Sequence, residues 1–329
     1  MKVAVLGATG LVGREMLKVL EQRNFPVTEL VPLASERSAG TILEFQGREY
    51  TVQAVGDDSF KGVNIALFSG GGSASKRWAP VAVSAGAVVI DNSSAWRMNQ
   101  NVPLVAPEVN PDDIKEHSGI IANPNCTTIQ AVVALYPLHL KFTLNYVAYS
   151  TYQSVSGTGK DAMLALESGS RSILDGRAPA TQIVYPHPIA FDLLPHIGAF
   201  DSDGMTEEEW KMVRETRKIM HLPDLKISCT CVRAPVFKGH SESIIAKFDN
   251  PVTPEEAREI LENAPGVVVQ DEPSSSIYPR PRYCEDKDPV FVGRIRKDMG
   301  RRNALSMWVV SDNVRKGAAL NAVQIAELL

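Results

Sequence analysis

Three features of the sequence predict an α/β fold in two domains. The chain opens with an apolar run, Lys2-Val3-Ala4-Val5-Leu6, that enters the glycine-spaced segment Gly7-Ala8-Thr9-Gly10-Leu11-Val12-Gly13 and then a helical run from Arg14 to Gln22. Strand and helix patterns alternate from there to about residue 127. Beyond that point the chain turns strand-rich, and it closes on a helix with apolar residues at helical spacing, Ala318–Leu329. Alternating strands and helices predict a parallel sheet covered by helices, and the strand-rich second part predicts an α+β domain. The expected division is a Rossmann-type domain over 1–127 plus 313–329 and an α+β domain over 128–312.

The first turn carries the sharpest local signal. Its spacing is G-x-x-G-x-x-G at the first strand–helix junction. Glycines there tighten the turn, let the main chain approach a pyrophosphate and let helix and strand pack closely, while the helix N-terminus supplies an anion site. The next strand, Glu29–Ala34, ends in Ser35-Glu36-Arg37-Ser38. A carboxylate in that place suits a ribose 2′-hydroxyl; Arg37 between two serines suits a 2′-phosphate, so NADP is expected, with Glu36 as the dissenting residue. Ile42–Phe45 and 49–52 read as a hairpin through Gln46-Gly47-Arg48, and 64–68 and Val88–Asp91 as further core strands. Ser69-Gly70-Gly71-Gly72-Ser73 breaks into a helix over 75–85, and the loop after Asp91 presents Arg97.

Composition narrows the classes. The chain has 329 residues, 44% hydrophobic and 22% charged, with a net charge of −4. Mild acidity without a basic tract argues against nucleic acid or an anionic membrane as partner. No apolar run approaches the ~18 residues of a membrane span. The first residues lack the apolar core and cleavage site of a secretion signal. Four cysteines (Cys126, Cys229, Cys231, Cys284) are too few and too scattered for a disulfide framework or a zinc site, which suits a reducing cytoplasm and no metal.

One cysteine stands apart. Gly119-Ile120-Ile121-Ala122 reads as a short buried strand, Asn123-Pro124-Asn125-Cys126-Thr127 follows, and the run from Thr128 reads as a helix. At such a junction unpaired N–H groups and the helix dipole favour the thiolate, and N–H donors with Asn125 beside them suit an oxyanion. Beyond it, 146–154 is a β-branched and aromatic run ending in Gln153-Ser154-Val155-Ser156-Gly157, and a helix runs from there to about Asp175. Thr206-Glu207-Glu208-Glu209 caps a helix to Met220. The strands 227–234 and 241–248 flank Pro235–His240, so Arg233 and His240 are expected at opposite ends of a tight connection, near one mouth.

These blocks together resemble the aspartate-β-semialdehyde dehydrogenase family over essentially the whole chain. The resemblance rests on Gly7–Gly13, Asp91-Asn92-Ser93-Ser94-Ala95-Trp96-Arg97, Asn123–Thr128, Ser154–Gly159 and Arg233–Ser243 in order. It implies NADPH-dependent reductive dephosphorylation of L-aspartyl-4-phosphate, in lysine, threonine and methionine biosynthesis, by a homodimer whose second domain carries the interface, with a tetramer as the further assembly. Carried over by motif, Cys126 is the thioester nucleophile, His240 its general acid/base, and Gln153 the residue orienting the acyl group. Asn125, Arg97 and Lys211 hold phosphate; Arg233 grips the α-carboxylate and Glu208 the α-ammonium. Glu207 and Glu209 flank Glu208 and stay open as alternatives; the spacing to Lys211 favours Glu208. Gly7, Thr9, Gly10, Leu11, Val12, Gly13, Arg37, Ser38, Ser156, Gly157 and Asn313 line the cofactor.

Two rivals make different demands. An N-acetyl-glutamyl-phosphate reductase shares the cysteine logic, but its substrate nitrogen is uncharged, so a carboxylate such as Glu208 would be a liability. A non-catalytic dinucleotide-binding paralogue would have lost the nucleophile or base, and Cys126, Gln153, Arg233 and His240 are all present.

Overall fold

The computed structural model describes residues 1–179 and 184–329 and divides the chain into two compact units. The first comprises Met1–Asn125 with Gly317–Leu329, the second Cys126–Lys316.

The first unit is built on β1 (Lys2–Leu6), α1 (Leu11–Gln22), β2 (Glu29–Ala34), the hairpin β3 (Ile42–Phe45) and β4 (Arg48–Thr51), β5 (Gln53–Ala54), β6 (Ile65–Phe68), α2 (Gly72–Ser84), β7 (Val88–Asp91) and β8 (Ile120–Ala122). Its six-stranded sheet has the order β5-β2-β1-β6-β7-β8, and every pairing is parallel. β1 and β6 are almost uniformly apolar because a parallel sheet covered on both faces leaves their side chains no polar side. The C-terminal helix, Leu320–Glu327, shares one core with α1: Leu320, Val323 and Ile325 are buried in the cluster that holds Met16, Leu17 and Leu20. Each such side chain contributes roughly 1.5–3 kcal/mol on burial. Arg23 closes the pair with two 2.6 Å bonds to the Glu327 carboxylate.

The second unit comprises α3 (Cys126–Phe142), β9 (Leu144–Gln153), α4 (Lys160–Leu174), α5 (Glu207–Ile219), β10 (Lys226–Arg233), β11 (His240–Phe248), α6 (Pro254–Glu262), β12 (Val267–Val269), α7 (Pro281–Cys284), β13 (Val290–Lys297) and β14 (Ala304–Ser311). The mixed sheet runs β10-β9-β11-β14-β13-β12. Helices α3, α5 and α6 pack on one of its faces. On the other, Ser150, Tyr152 and Thr230 are exposed, and Ile245 and Trp308 are half-buried. No helix among the described residues is long and apolar enough to cross a membrane.

Several elements differ from expectation. β10 and β11 are not neighbours: both pair with β9, one parallel and one antiparallel, so β9 separates Arg233 from His240. Helix α3 starts at Cys126 instead of Thr128, and α1 at Leu11 instead of Arg14. The last helix begins at Leu320 after a wider π-turn over Arg315–Ala319.

Candidate active site

In the first unit, the β1–α1 connection is built from main chain. The N–H groups of Gly7 and Ala8 bond Leu33 O at 2.8 and 3.1 Å, and Gly10 N–H bonds Gly7 O at 2.9 Å. Gly7 has φ +89°, and a Cβ there would meet Ser69 Oγ at 2.8 Å and Gly70 N at 2.9 Å. A Cβ on Gly13 would lie 2.2 Å from Gly7 O. Side chains are excluded at both positions, and Gly10 caps α1 without a side-chain acceptor. Unpartnered N–H donors at the start of a long helix, beside main chain free of side chains, suit a diphosphate. Arg37 lies exposed on the short turn Glu36–Ser38 after β2. Arg97 is buried against the strand ends: its Nε donates to Asn123 O at 2.9 Å and its Nη2 to Asn92 O at 2.8 Å. Asn125 is also buried.

The second unit gathers its residues by sheet register. Gln153 ends β9; its partner on β10 is Arg233, and on the other side Tyr152 pairs with Ser241, the neighbour of His240. Three strand ends therefore meet at one edge. The connection from Ala234 to Gly239 crosses that edge, with Val155 N–H on Val236 O at 2.9 Å and Ser156 N–H on Phe237 O at 3.1 Å. Arg233 Nη1 donates to Ser154 O at 2.7 Å, while its buried Nε–H has no partner among the described residues. A Cβ on Gly157 would stand 3.2 Å from Arg233 Nη1 and 3.4 Å from His240 Nε2, so one point lies within contact of both. A side chain at Gly157 would crowd the tip of the Arg233 guanidinium.

The three glutamates left open by the sequence have different partners. Thr206 caps α5 in a reciprocal box with Glu209, whose other oxygen accepts Cys231 N–H at 3.1 Å. Glu207 packs against Gly198. Glu208 alone of the three turns to the strand edge: its Oε1 accepts from Gln153 Nε2 at 3.2 Å and Thr127 Oγ1 at 3.3 Å, its Oε2 from Lys211 Nζ at 3.1 Å. The carboxylate is thus bonded to the residue next to Cys126. Cys126 is the first residue of α3, half-buried, with its Sγ 4.0 Å from Thr127 Oγ1.

His240 is fully buried, and burial, aided by the Arg233 guanidinium and opposed by Glu208, holds its pKa down at about 3. Its Nδ1 accepts from the main-chain N–H of Ser154 at 3.0 Å. Asn313 is engaged by the protein itself: its Oδ1 accepts from Gly239 N–H at 2.9 Å, Ser154 Oγ at 3.0 Å and Ser156 Oγ at 3.1 Å. Its carboxamide and the Ser156 hydroxyl therefore also brace the loop around His240.

A layer below the edge has no counterpart in the sequence reading. Gln130, one turn after Cys126, donates to Glu242 Oε1 at 2.8 Å and accepts from Ser311 Oγ at 2.7 Å, all buried. Burial, with Glu208 adding in the same direction, pushes the Glu242 carboxyl well above the usual range. The signal was present: Gln130 and Glu242 are polar at positions whose periodicity points inward.

Known proteins match the chain along its whole length. The family model described as semialdehyde dehydrogenase, NAD binding domain, matches residues 2–117, and the one described as semialdehyde dehydrogenase, dimerisation domain, matches residues 135–316. The aspartate-semialdehyde dehydrogenase of Aquifex aeolicus is 59% identical, over 100% of this chain and 97% of its own. The structure of aspartate semialdehyde dehydrogenase II from Vibrio cholerae complexed with ASA is 46% identical with a TM-score of 0.97, covering 100% of this chain and 97% of that one. The enzyme of Candida albicans with NADP is 26% identical with a TM-score of 0.76, covering 100% and 98%. A cysteine at the head of a helix, a carboxylate bonded to its neighbour Thr127 and a strand edge bearing arginine and histidine thus occur in a chain matched end to end, and the chain belongs to the aspartate-semialdehyde dehydrogenase family.

Proposed function

We propose that the chain catalyses the reversible NADPH-dependent reductive dephosphorylation of L-aspartyl-4-phosphate to L-aspartate 4-semialdehyde through a thioester at Cys126. The first unit is the NADP-binding domain, and the second carries catalysis and dimerisation. The observation that carries the reading is the bonded set Thr127–Glu208–Gln153 beside Arg233 and His240, with Cys126 at the head of α3. The Cβ-excluding glycines at 7 and 13 and the uncapped start of α1 fit a dinucleotide diphosphate, with Thr9 to Val12 along it and Arg37 with Ser38 for the 2′-phosphate. Gly157 with Ser156 forms the second unit's contribution.

The bound nicotinamide supplies hydride chemistry. The chain's residues do the rest. Cys126, as thiolate, attacks the acyl carbon and phosphate leaves. Arg233 offers its unpartnered Nε–H and planar fork to the α-carboxylate, and Glu208 faces the α-ammonium. Gln153, bonded to Glu208, orients the acyl group, and Lys211, Arg97 and Asn125 hold phosphate. The assembly is a homodimer through the uncovered sheet face around Tyr152 and Trp308, which light scattering distinguishes from a tetramer. Four free thiols suit a reducing, cytoplasmic setting.

The test is reduction of NADP by L-aspartate 4-semialdehyde with and without phosphate, with NAD in parallel. Turnover that needs phosphate and prefers NADP is expected. Turnover indifferent to phosphate, or restricted to an N-acetylated semialdehyde, overturns the reading.

A further inference from the structure

The three strands that carry Gln153, Arg233 and His240 to one edge of the sheet have a second end, and it is basic. Their register sets Lys226 of β10 and Lys247 of β11 on either side of Tyr146 of β9. Residues paired directly across a ladder share a face, so the three side chains leave the same side of the sheet. With strands ~4.8 Å apart, the two lysines start roughly 10 Å from each other. The row is remote from the catalytic edge: the strands run from 226 to 233, 146 to 153 and 247 to 240 between the two ends, on the order of 23 Å.

The turn between β13 and β14 closes on the row. Arg301 lays its guanidinium over the Tyr146 ring, 5.4 Å from the centroid, and Arg302 follows it. A cavity of about 950 Å³ opens between this turn, the row and the loop before β10, where Leu222 and Pro223 form an apolar wall. Besides the four cations, it is lined by two carboxylates, Asp224 and Asp249. Asp249 is engaged, its Oδ1 accepting from Asn145 Nδ2. Arg301 stands 3.7 Å from the Asp298 carboxylate, whereas the side chains of Lys226, Lys247 and Arg302 form no ion pair or hydrogen bond among the described residues. Positive charge is thus in excess around one cavity of a chain whose net charge is −4. Cations that repel one another across a cavity are relieved by an anion placed between them.

We propose that this cavity is a second anion site, separate from the reaction centre, and that it binds a small multivalent phosphate of diphosphate size or longer. The lysines supply two mobile point charges, and the arginines supply planar forks whose paired N–H groups match phosphate oxygens. A lone carboxylate leaves the excess charge unbalanced; a diphosphate can meet both lysines and a fork at once. The site does not include Lys211, which bonds Glu208 at the opposite end of the strands.

The experiment is calorimetric titration of the full-length oligomer, saturated with NADP, with inorganic pyrophosphate at low salt. The wild type should show a binding component that survives Lys211→Ala. In the double variant Lys226→Ala/Lys247→Ala that component should weaken by at least about tenfold, with melting temperature and NADP affinity unchanged, because two charge-assisted contacts are lost. No binding to the wild type, binding that disappears with Lys211→Ala, or binding unmoved in the folded double variant overturns the inference. Light scattering tests the other occupant. If the double variant separates into single chains, the lysines hold an acidic segment of a second copy, and the ligand site is wrong. Citrate tests the chemical class: the expected result is weaker binding than pyrophosphate, and citrate bound equally tightly through the same two lysines overturns the assignment to phosphate.

Discussion

In the first unit, the loop between β1 and α1 offers main chain: no side chain caps α1, and Gly7 and Gly13 have no room for a Cβ. In the second, the end of β9 offers side chains whose charges lie under the surface. Glu208, Arg233 and His240 are 5%, 6% and 0% exposed, and each is held by a hydrogen bond to another element. The two regions suit different ligands. A diphosphate can be held by N–H donors and a helix end, which recognise charge and little else. A substrate with an ammonium, a carboxylate and a reacting carbon needs opposite charges at fixed positions, and burial keeps them from water that would weaken them. The main-chain site should fail by steric intrusion, and the side-chain site by loss of a specific charge.

The largest effects belong to the buried charges. Arg233→Lys keeps the charge and loses the fork, and it should lower kcat/KM by about 10²–10³-fold, or ~3–4 kcal/mol, in steady-state assays. Glu208→Gln should fall by a similar factor for the free-amine semialdehyde and by much less for its N-acetylated analogue, with Glu207→Gln near wild type. Equal losses on both substrates would remove Glu208 from the ammonium.

Next comes intrusion at the loop. Gly13→Ala places a Cβ 2.2 Å from Gly7 O, so the loop must open at a cost of roughly 1–3 kcal/mol, read as a lower melting temperature and weaker NADP binding by calorimetry. Gly70→Ala, whose Cβ would meet nothing closer than 3.4 Å, is the control that should bind as wild type. A smaller effect is expected at the exposed Arg37. Arg37→Ala should raise KM for NADP about tenfold and leave NAD nearly unchanged, since one charge-assisted contact of roughly 1.5 kcal/mol is lost.

A last effect is on stability alone. The folded state holds the Glu242 proton well above the ordinary value of 4.5, whereas the unfolded chain releases it near that value. Folding therefore loses stability as pH rises above about 4.5, at up to ~1.4 kcal/mol per unit. Glu242→Gln ionises in neither state, so its melting temperature should gain on wild type as pH increases from 4 to 8. A gap independent of pH would mean that the buried carboxyl keeps its charge.

The contrast between the regions also explains what the sequence disclosed. A main-chain site is written locally: Gly7, Gly10 and Gly13 at a strand–helix junction are visible without the fold, as are the Thr206 cap and the position of Cys126. The side-chain site depends on which strands pair. Nothing near Arg233 or His240 states that β9 runs between β10 and β11, because that pairing joins residues about 80 apart in the chain. The different partners of Glu208 and Glu209 likewise follow from α3 packing on α5, which turns Thr127 toward one glutamate and leaves the other to the cap. Helix α6, which the sequence reading passed over, is also written locally, in its cap Thr253-Pro254-Glu255-Glu256 and its inward face of Pro254, Ala257 and Leu261.

The central claim, a thioester at Cys126 served by buried side chains, is tested most directly by mass. The enzyme is mixed with L-aspartate 4-semialdehyde and NADP in the absence of phosphate, quenched in acid and digested. An acyl adduct confined to the peptide that contains Cys126, and removed when phosphate is added before the quench, is the predicted result. An adduct on Cys229, Cys231 or Cys284, or none on an enzyme that turns over once phosphate is supplied, would contradict it.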